Sequence, residues 1–120
     1  MKATIKQVSE KTGLSTYVLR YYEKEGLLPH VGRSESGIRL YSEADLEWLG
    51  LICCLKKTGM SIKQIRDFVE LCSQGSSTLD QRRELLVEHK ENVELKIQEL
   101  YKYLEKIDCK IECLARERAC

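Results

Sequence analysis

Ser15-Thr16-Tyr17-Val18-Leu19-Arg20-Tyr21-Tyr22-Glu23-Lys24-Glu25-Gly26 is the stretch that decides how this chain folds. Ser15 or Thr16 can cap a helix, and Gly26 can end it. Within it, Val18, Leu19 and Tyr22 fall on one side at helical spacing. Tyr17, Arg20, Tyr21 and Lys24 recur at i, i+3, i+4 and i+7 on the opposite side. Upstream, Thr4-Ile5-Lys6-Gln7 is a capping box that opens another short helix, and Gly13 stops it. Two short helices joined at Gly13 make a helix-turn-helix, with Ile5, Val8 and Leu14 meeting Val18, Leu19 and Tyr22 as a shared core.

Downstream, Pro29 and Gly32 break any helix, and Ser34-Glu35-Ser36-Gly37 is a polar turn. Ile38 and Leu40 then alternate with Arg39 and Tyr41, the period of a strand with one covered face, expected to be the Ile38/Leu40 face. Residues 27–41 therefore read as a β-hairpin, a wing beside the helix-turn-helix. Ser42-Glu43-Ala44-Asp45 opens a helix that runs to about Thr58, and Gly59 ends it. Ser61-Ile62-Lys63-Gln64 opens another that fades between Cys72 and Gln74. Gly75-Ser76-Ser77 reads as a hinge.

The remaining segment carries a different pattern. Val93, Ile97, Leu100, Leu104, Ile107, Ile111 and Leu114 are spaced alternately by four and three, a heptad seam. Leu79 and Leu86 extend one row upstream, while Arg83 and Lys90 interrupt the other. A helix of this length has too little chain of its own to cover such a stripe, so the seam calls for a partner helix, most simply that of a second copy. The alternative is that it folds back on residues 42–74. The expected architecture is mainly α. A winged helix-turn-helix DNA-binding head with a second helical pair occupies residues 1–74 and a hinge residues 75–78. A long dimerising coiled-coil helix follows over residues 79–116, with a tail at 117–120.

Charge follows the same division. The 120 residues sum to a net charge of only +1, which rules out a polycation that coats nucleic acid by bulk charge. Residues 1–66 nevertheless carry a net +4 and residues 67–120 a net −3. No apolar run approaches the ~20 residues of a membrane span, and no apolar stretch at the N-terminus suggests a signal peptide. A cytoplasmic protein with no membrane partner is the expectation. In that reducing compartment the six cysteines are thiols rather than a disulfide scaffold.

On the second helix, Tyr17, Arg20, Tyr21 and Lys24 suit a major groove. Arg can pair with guanine or clamp phosphate, and Tyr can donate to phosphate while packing on sugar. Arg33, Arg39 and Tyr41 on the wing can follow the adjacent backbone. Lys56, Lys57, Lys63 and Arg66 add cations around the Gly59 turn. The plain alternative for each is a solvated polar face.

The string Leu19-Arg20-Tyr21-Tyr22-Glu23, Gly26-Leu27-Leu28-Pro29, Arg33, Gly37-Ile38-Arg39-Leu40-Tyr41, Asp45 and Gly59-Met60-Ser61-Ile62-Lys63-Gln64-Ile65 resembles the MerR family of bacterial transcription regulators, in order and spacing over residues 4–72. The resemblance implies a homodimer with two winged heads held apart by an antiparallel coiled coil. It implies a palindromic promoter with an overlong spacer, kinked and untwisted so that RNA polymerase can engage it. Carried over by position, it points to Tyr17, Arg20, Tyr21, Arg33, Arg39, Tyr41, Ser61 and Lys63 as DNA contacts.

The chain looks most like the subgroup that responds to aldehydes, nitric oxide and related electrophiles, which has a cysteine aligned with Cys54 and a similar Ser36-Gly37-Ile38-Arg39 wing. In that reading Cys54 is the sensor, activated by the ammonium of Lys57 one turn on. The alternative is that Cys54 only packs. Cys109 and Cys113 share a helix face and, with Cys120, offer a thiol metal site for a metal-responsive regulator; otherwise they are incidental thiols. Cys72 and Cys53 read as core. No cofactor is implied. Nothing resembles an enzyme: His30 in the wing and His89 in the long helix are too separated for a dyad. A coiled-coil adaptor whose head binds protein rather than DNA is the reading from another class.

Overall fold

The computed structural model describes residues 2–117. Contacts divide the chain into two units, Met1–Arg82 and Arg83–Cys120. The elements in chain order are β1 (Ala3–Thr4), α1 (Ile5–Thr12), α2 (Thr16–Lys24), β2 (Gly32–Arg33), β3 (Arg39–Tyr41), α3 (Glu43–Lys57), α4 (Ile62–Ser73), a 3-10 turn (Gly75–Thr78) and α5 (Leu79–Glu117).

Local chemistry sets the helix starts. Three capping boxes form: Thr4 with Gln7, Ser42 with Asp45, and Ser61 with Gln64. In the third, Gln64 N donates to Ser61 Oγ at 3.1 Å and Ser61 N donates to Gln64 Oε1 at 3.0 Å. Each box satisfies two amide donors that the helix itself cannot. Ser15 caps α2 by accepting from Val18 N at 3.1 Å. Gly13, at φ 79°, ends α1 in the left-handed region where a side chain would be strained.

The wing is more than a hairpin. β1 pairs with β3 in the register Ala3↔Tyr41 and Thr4↔Leu40, and β2 pairs with β3 as Gly32↔Leu40 and Arg33↔Arg39. β3 is thus the middle strand of a three-stranded antiparallel sheet. This reverses the expected facing. Tyr41 is fully buried, whereas Ile38 is 54% exposed. The cause is that α1 and α3 both pack on β3, and they cover the face that carries Tyr41.

Val8, Leu19, Tyr22, Leu27, Leu49 and Ile52 are among the buried residues around which the first unit closes. Ile5, Leu14 and Val18 are half-buried at its edge. Trp48 of α3 links three segments. Its indole Nε1–H donates to the Leu27 carbonyl at 2.7 Å, and its ring stacks with Phe68 of α4, the centroids 6.2 Å apart.

Residues 75–78 form a fastened turn. Thr78 is buried, its hydroxyl donates to the Leu71 carbonyl at 2.5 Å with the Gly75 carbonyl 2.9 Å away, and it accepts from Arg82 Nε at 3.1 Å. The division between the units falls after Arg82, four residues beyond that turn and inside α5.

No described residue of α5 is buried. Along the seam, Val93 is half-buried. Ile97, Leu100, Leu104, Ile107, Ile111 and Leu114 are all exposed, Leu100 at 61%.

Candidate nucleic-acid interface

Helix α2 divides as its spacing predicts. Leu19 and Tyr22 are buried, while Tyr17, Arg20, Tyr21 and Lys24 are exposed. Tyr17 reaches 77% exposure, so its ring takes no part in the core. The Tyr21 and Tyr22 rings lie 6.2 Å apart and tilted, so the outer tyrosine rests against the inner one.

The wing is fixed to this helix by one carboxylate. Glu23 Oε2 forms an ion pair with Arg39 Nε, and Glu23 Oε1 lies 3.4 Å from Arg33 Nη2. Arg33 also donates from Nη1 to the Gly37 carbonyl at 2.9 Å, bracing the hairpin turn. The two arginines differ in access: the Arg33 side chain is 51% exposed and that of Arg39 27%. Glu23 was not legible as a site residue. Its partners are ten and sixteen residues on, and nothing local signals the pairing.

Tyr41 is not part of the surface. Placed by position among the DNA contacts, it is fully buried, because its side of β3 is roofed by α1 and α3. Burial pushes its phenol up from the ordinary 10.0, and the carboxylate of Glu23 adds to the rise while Arg39 opposes it. Among the described residues its hydroxyl has no hydrogen-bond partner.

At the second helical pair, the Ser61 side chain is engaged as the cap of α4, and Lys63 is exposed one turn in. Lys56 and Lys57 are exposed at the end of α3. Arg66 lies 3.7 Å from Glu25 at the end of α2, so its charge is partly spent within the fold.

Cys54 is an exposed free thiol on α3, and its carbonyl accepts from the Thr58 hydroxyl at 2.7 Å. Lys57 acts on the neighbouring Cys53. Burial pushes the half-buried Cys53 thiol up, and Lys57 works against that rise. Cys72 is half-buried and lines a hollow of about 200 Å³ with Pro29, Trp48 and Val69. Cys109 is an exposed free thiol on α5, whereas Cys113, half-buried, is disulfide-bonded, against the expectation of thiols throughout, and Cys120 lies outside the described residues. No cluster of three or more His, Cys, Asp or Glu that could hold a metal ion occurs among the described residues. No described helix is long and apolar enough to cross a membrane.

Residues 3–72 match the family described as MerR HTH family regulatory protein, and residues 46–109 match the one described as MerR, DNA binding. An uncharacterized HTH-type transcriptional regulator of Haemophilus influenzae is 43% identical over 119 residues, spanning 99% of this chain and 88% of the relative. A crystal structure of a MerR family regulator lacking the sensor domain, bound to promoter DNA, is 43% identical with a TM-score of 0.93, over 99% of this chain and 94% of that one. A MerR family transcriptional regulator from Bacillus thuringiensis is 40% identical with a TM-score of 0.86, over 93% and 98% of the two chains.

Proposed function

The chain belongs to the MerR family of DNA-binding helix-turn-helix transcription regulators, and from that premise we propose that it works as a homodimer gripping a palindromic promoter. It is a regulator, not an enzyme. The observation that carries the dimer is the uncovered seam of α5. Six large apolar side chains in water at heptad spacing are stable only against a matching helix, each gaining on the order of 1 kcal/mol or more on burial. An antiparallel pairing of two α5 helices sets the heads apart.

Each head then offers Tyr17, Arg20, Tyr21 and Lys24 to a major groove, with Arg33 on the flanking backbone and Lys63 beside it. Phosphate contacts on both flanks hold the spacer bent and untwisted. Bending a duplex site of about 20–30 base pairs costs roughly 1–6 kcal/mol, which several charge-assisted phosphate contacts offset. RNA polymerase then meets promoter elements on one face of the duplex, in the cytoplasm.

The inducer acts at Cys54. The thiol is exposed and free on α3, the helix whose Trp48 is bonded to the segment that follows the reading helix. Its modification by an aldehyde or a related electrophile shifts α3 and with it the heads.

Footprinting on the DNA upstream of the chain's own gene tests the reading. It predicts two protected half-sites related by a dyad, lost with rising salt. A single unpaired half-site, or none, contradicts it. Replacing Cys54 with Ser abolishes induction by an aldehyde and leaves the footprint intact; unchanged induction removes Cys54 from the mechanism.

A further inference from the structure

We propose that Glu23 is a positioning residue for DNA binding, one carboxylate that ties both strands of the wing to the reading helix, holding Arg39 permanently and Arg33 replaceably. The inference deepens the DNA-binding reading and rests on it.

Glu23 sits on α2 between Tyr22, which is core, and Lys24, which is exposed. From there its two oxygens divide between β3 and β2: Oε2 pairs with Arg39 and Oε1 with Arg33. Arg39 stands opposite Arg33 in the sheet register. Two guanidinium groups on directly opposed residues repel each other, and the carboxylate between them removes that conflict. A sheet whose outer strand has only two residues has little hydrogen bonding of its own to hold it against a helix. β3 is also held by α1, α3 and β1, so what this junction adds is the placement of β2 and its Arg33 beside α2.

The two pairings are not equivalent. The Glu23 side chain is 20% exposed and Arg39's is 27%, so that pair is largely shielded from water and from salt. Tyr41 packs fully buried on the same face of β3, and its hydroxyl lies within the field of both charges. Arg33 is held at 3.4 Å, at the long limit of a hydrogen bond, and is half in solvent. A DNA phosphate can replace Glu23 as the acceptor for Arg33 while the Gly37 carbonyl keeps the guanidinium aimed. Two arginines that look alike by position thus differ: Arg33 is the phosphate contact, and Arg39 is the anchor.

The sign of one substitution separates this from plain electrostatics. Removing a negative charge from a DNA-facing surface tightens binding if that charge only repels phosphate. If Glu23 positions the wing, its loss weakens binding instead. The measurement uses the full chain and a duplex that the wild type has itself selected from a randomised library. Failure of that selection counts against DNA reading as such, separately from the inference. Glu23→Gln is expected to bind about tenfold more weakly at moderate salt, as loss of a charge-assisted contact implies, with an unchanged helical signal and a cooperative melt. Unchanged or tighter binding by the folded variant overturns the proposal, and so does loss of the cooperative melt, which would make Glu23 a residue of the fold. Arg33→Gln is expected to reduce the slope of log affinity against log salt by about two, one for each head of the dimer, without moving the melt. An unchanged slope overturns the hand-over of Arg33 to phosphate.

Discussion

The indole N–H of Trp48 donates to the carbonyl of Leu27 at 2.7 Å. The bond joins α3 to the residue that follows the C-terminal turn of α2. Leu27 is fully buried, so its carbonyl has no water to turn to. Trp48→Phe keeps the stack on Phe68 and loses only the donor. Leaving a buried carbonyl unpaired costs roughly 1–3 kcal/mol. Thermal melting should show the loss, and an unchanged midpoint would mean the bond contributes nothing net.

Ser61 is engaged as a cap, and its replacement should read as a stability change. Ser61→Ala removes the acceptor for Gln64 N at 3.1 Å. The expected cost is about 1 kcal/mol of unfolding free energy. Denaturant titration checks it. A variant as stable as wild type but defective on DNA would show that the hydroxyl serves the duplex and not the helix.

Alkaline pH should destabilise the head through Cys53. Burial raises its pKa above the ordinary 9.0, so the folded state keeps its proton where the unfolded chain has lost it. That contribution is fully present below the unfolded pKa and is lost as pH rises from 9.0 through the folded value. Tyr22 and Tyr41, both raised from 10.0, extend the loss to higher pH. Melts in reductant across this range should show a falling midpoint, and Cys53→Ala should flatten its first part. An equally steep fall in the variant would assign the effect to the tyrosines alone.

Arg20 is exposed on the outward side of α2, beside Tyr21. Arg20→Ala should weaken binding to a selected duplex by about 1–3 kcal/mol and relax preference at one position of each half-site if it reads a base. A uniform loss across sequences would make it a phosphate clamp. Gel-shift titration against single-position variants of the duplex distinguishes the two.

What was legible in the sequence was local. The capping boxes at Thr4, Ser42 and Ser61 involve groups three residues apart, so the helix starts follow from neighbours alone. The division of α2 into Leu19 and Tyr22 inside and Tyr17 and Arg20 outside follows from helical period in the same way. Non-local pairing was not legible. Which face of β3 is covered depends on α1, α3 and a two-residue strand at Ala3–Thr4, and period two alone cannot tell one face from the other. That is why Tyr41, placed among the contacts by position, is core, and why the pairing of Glu23 with Arg33 and Arg39 carried no local signal.

Sedimentation of the purified full chain at micromolar concentration, alone and with the selected duplex, tests the dimer most directly. The wild-type protein should sediment with a mass of twice 13.9 kDa in both conditions, falling to one chain when Ile107→Glu places a charge in the seam. A wild-type species of 13.9 kDa with and without the duplex would contradict it.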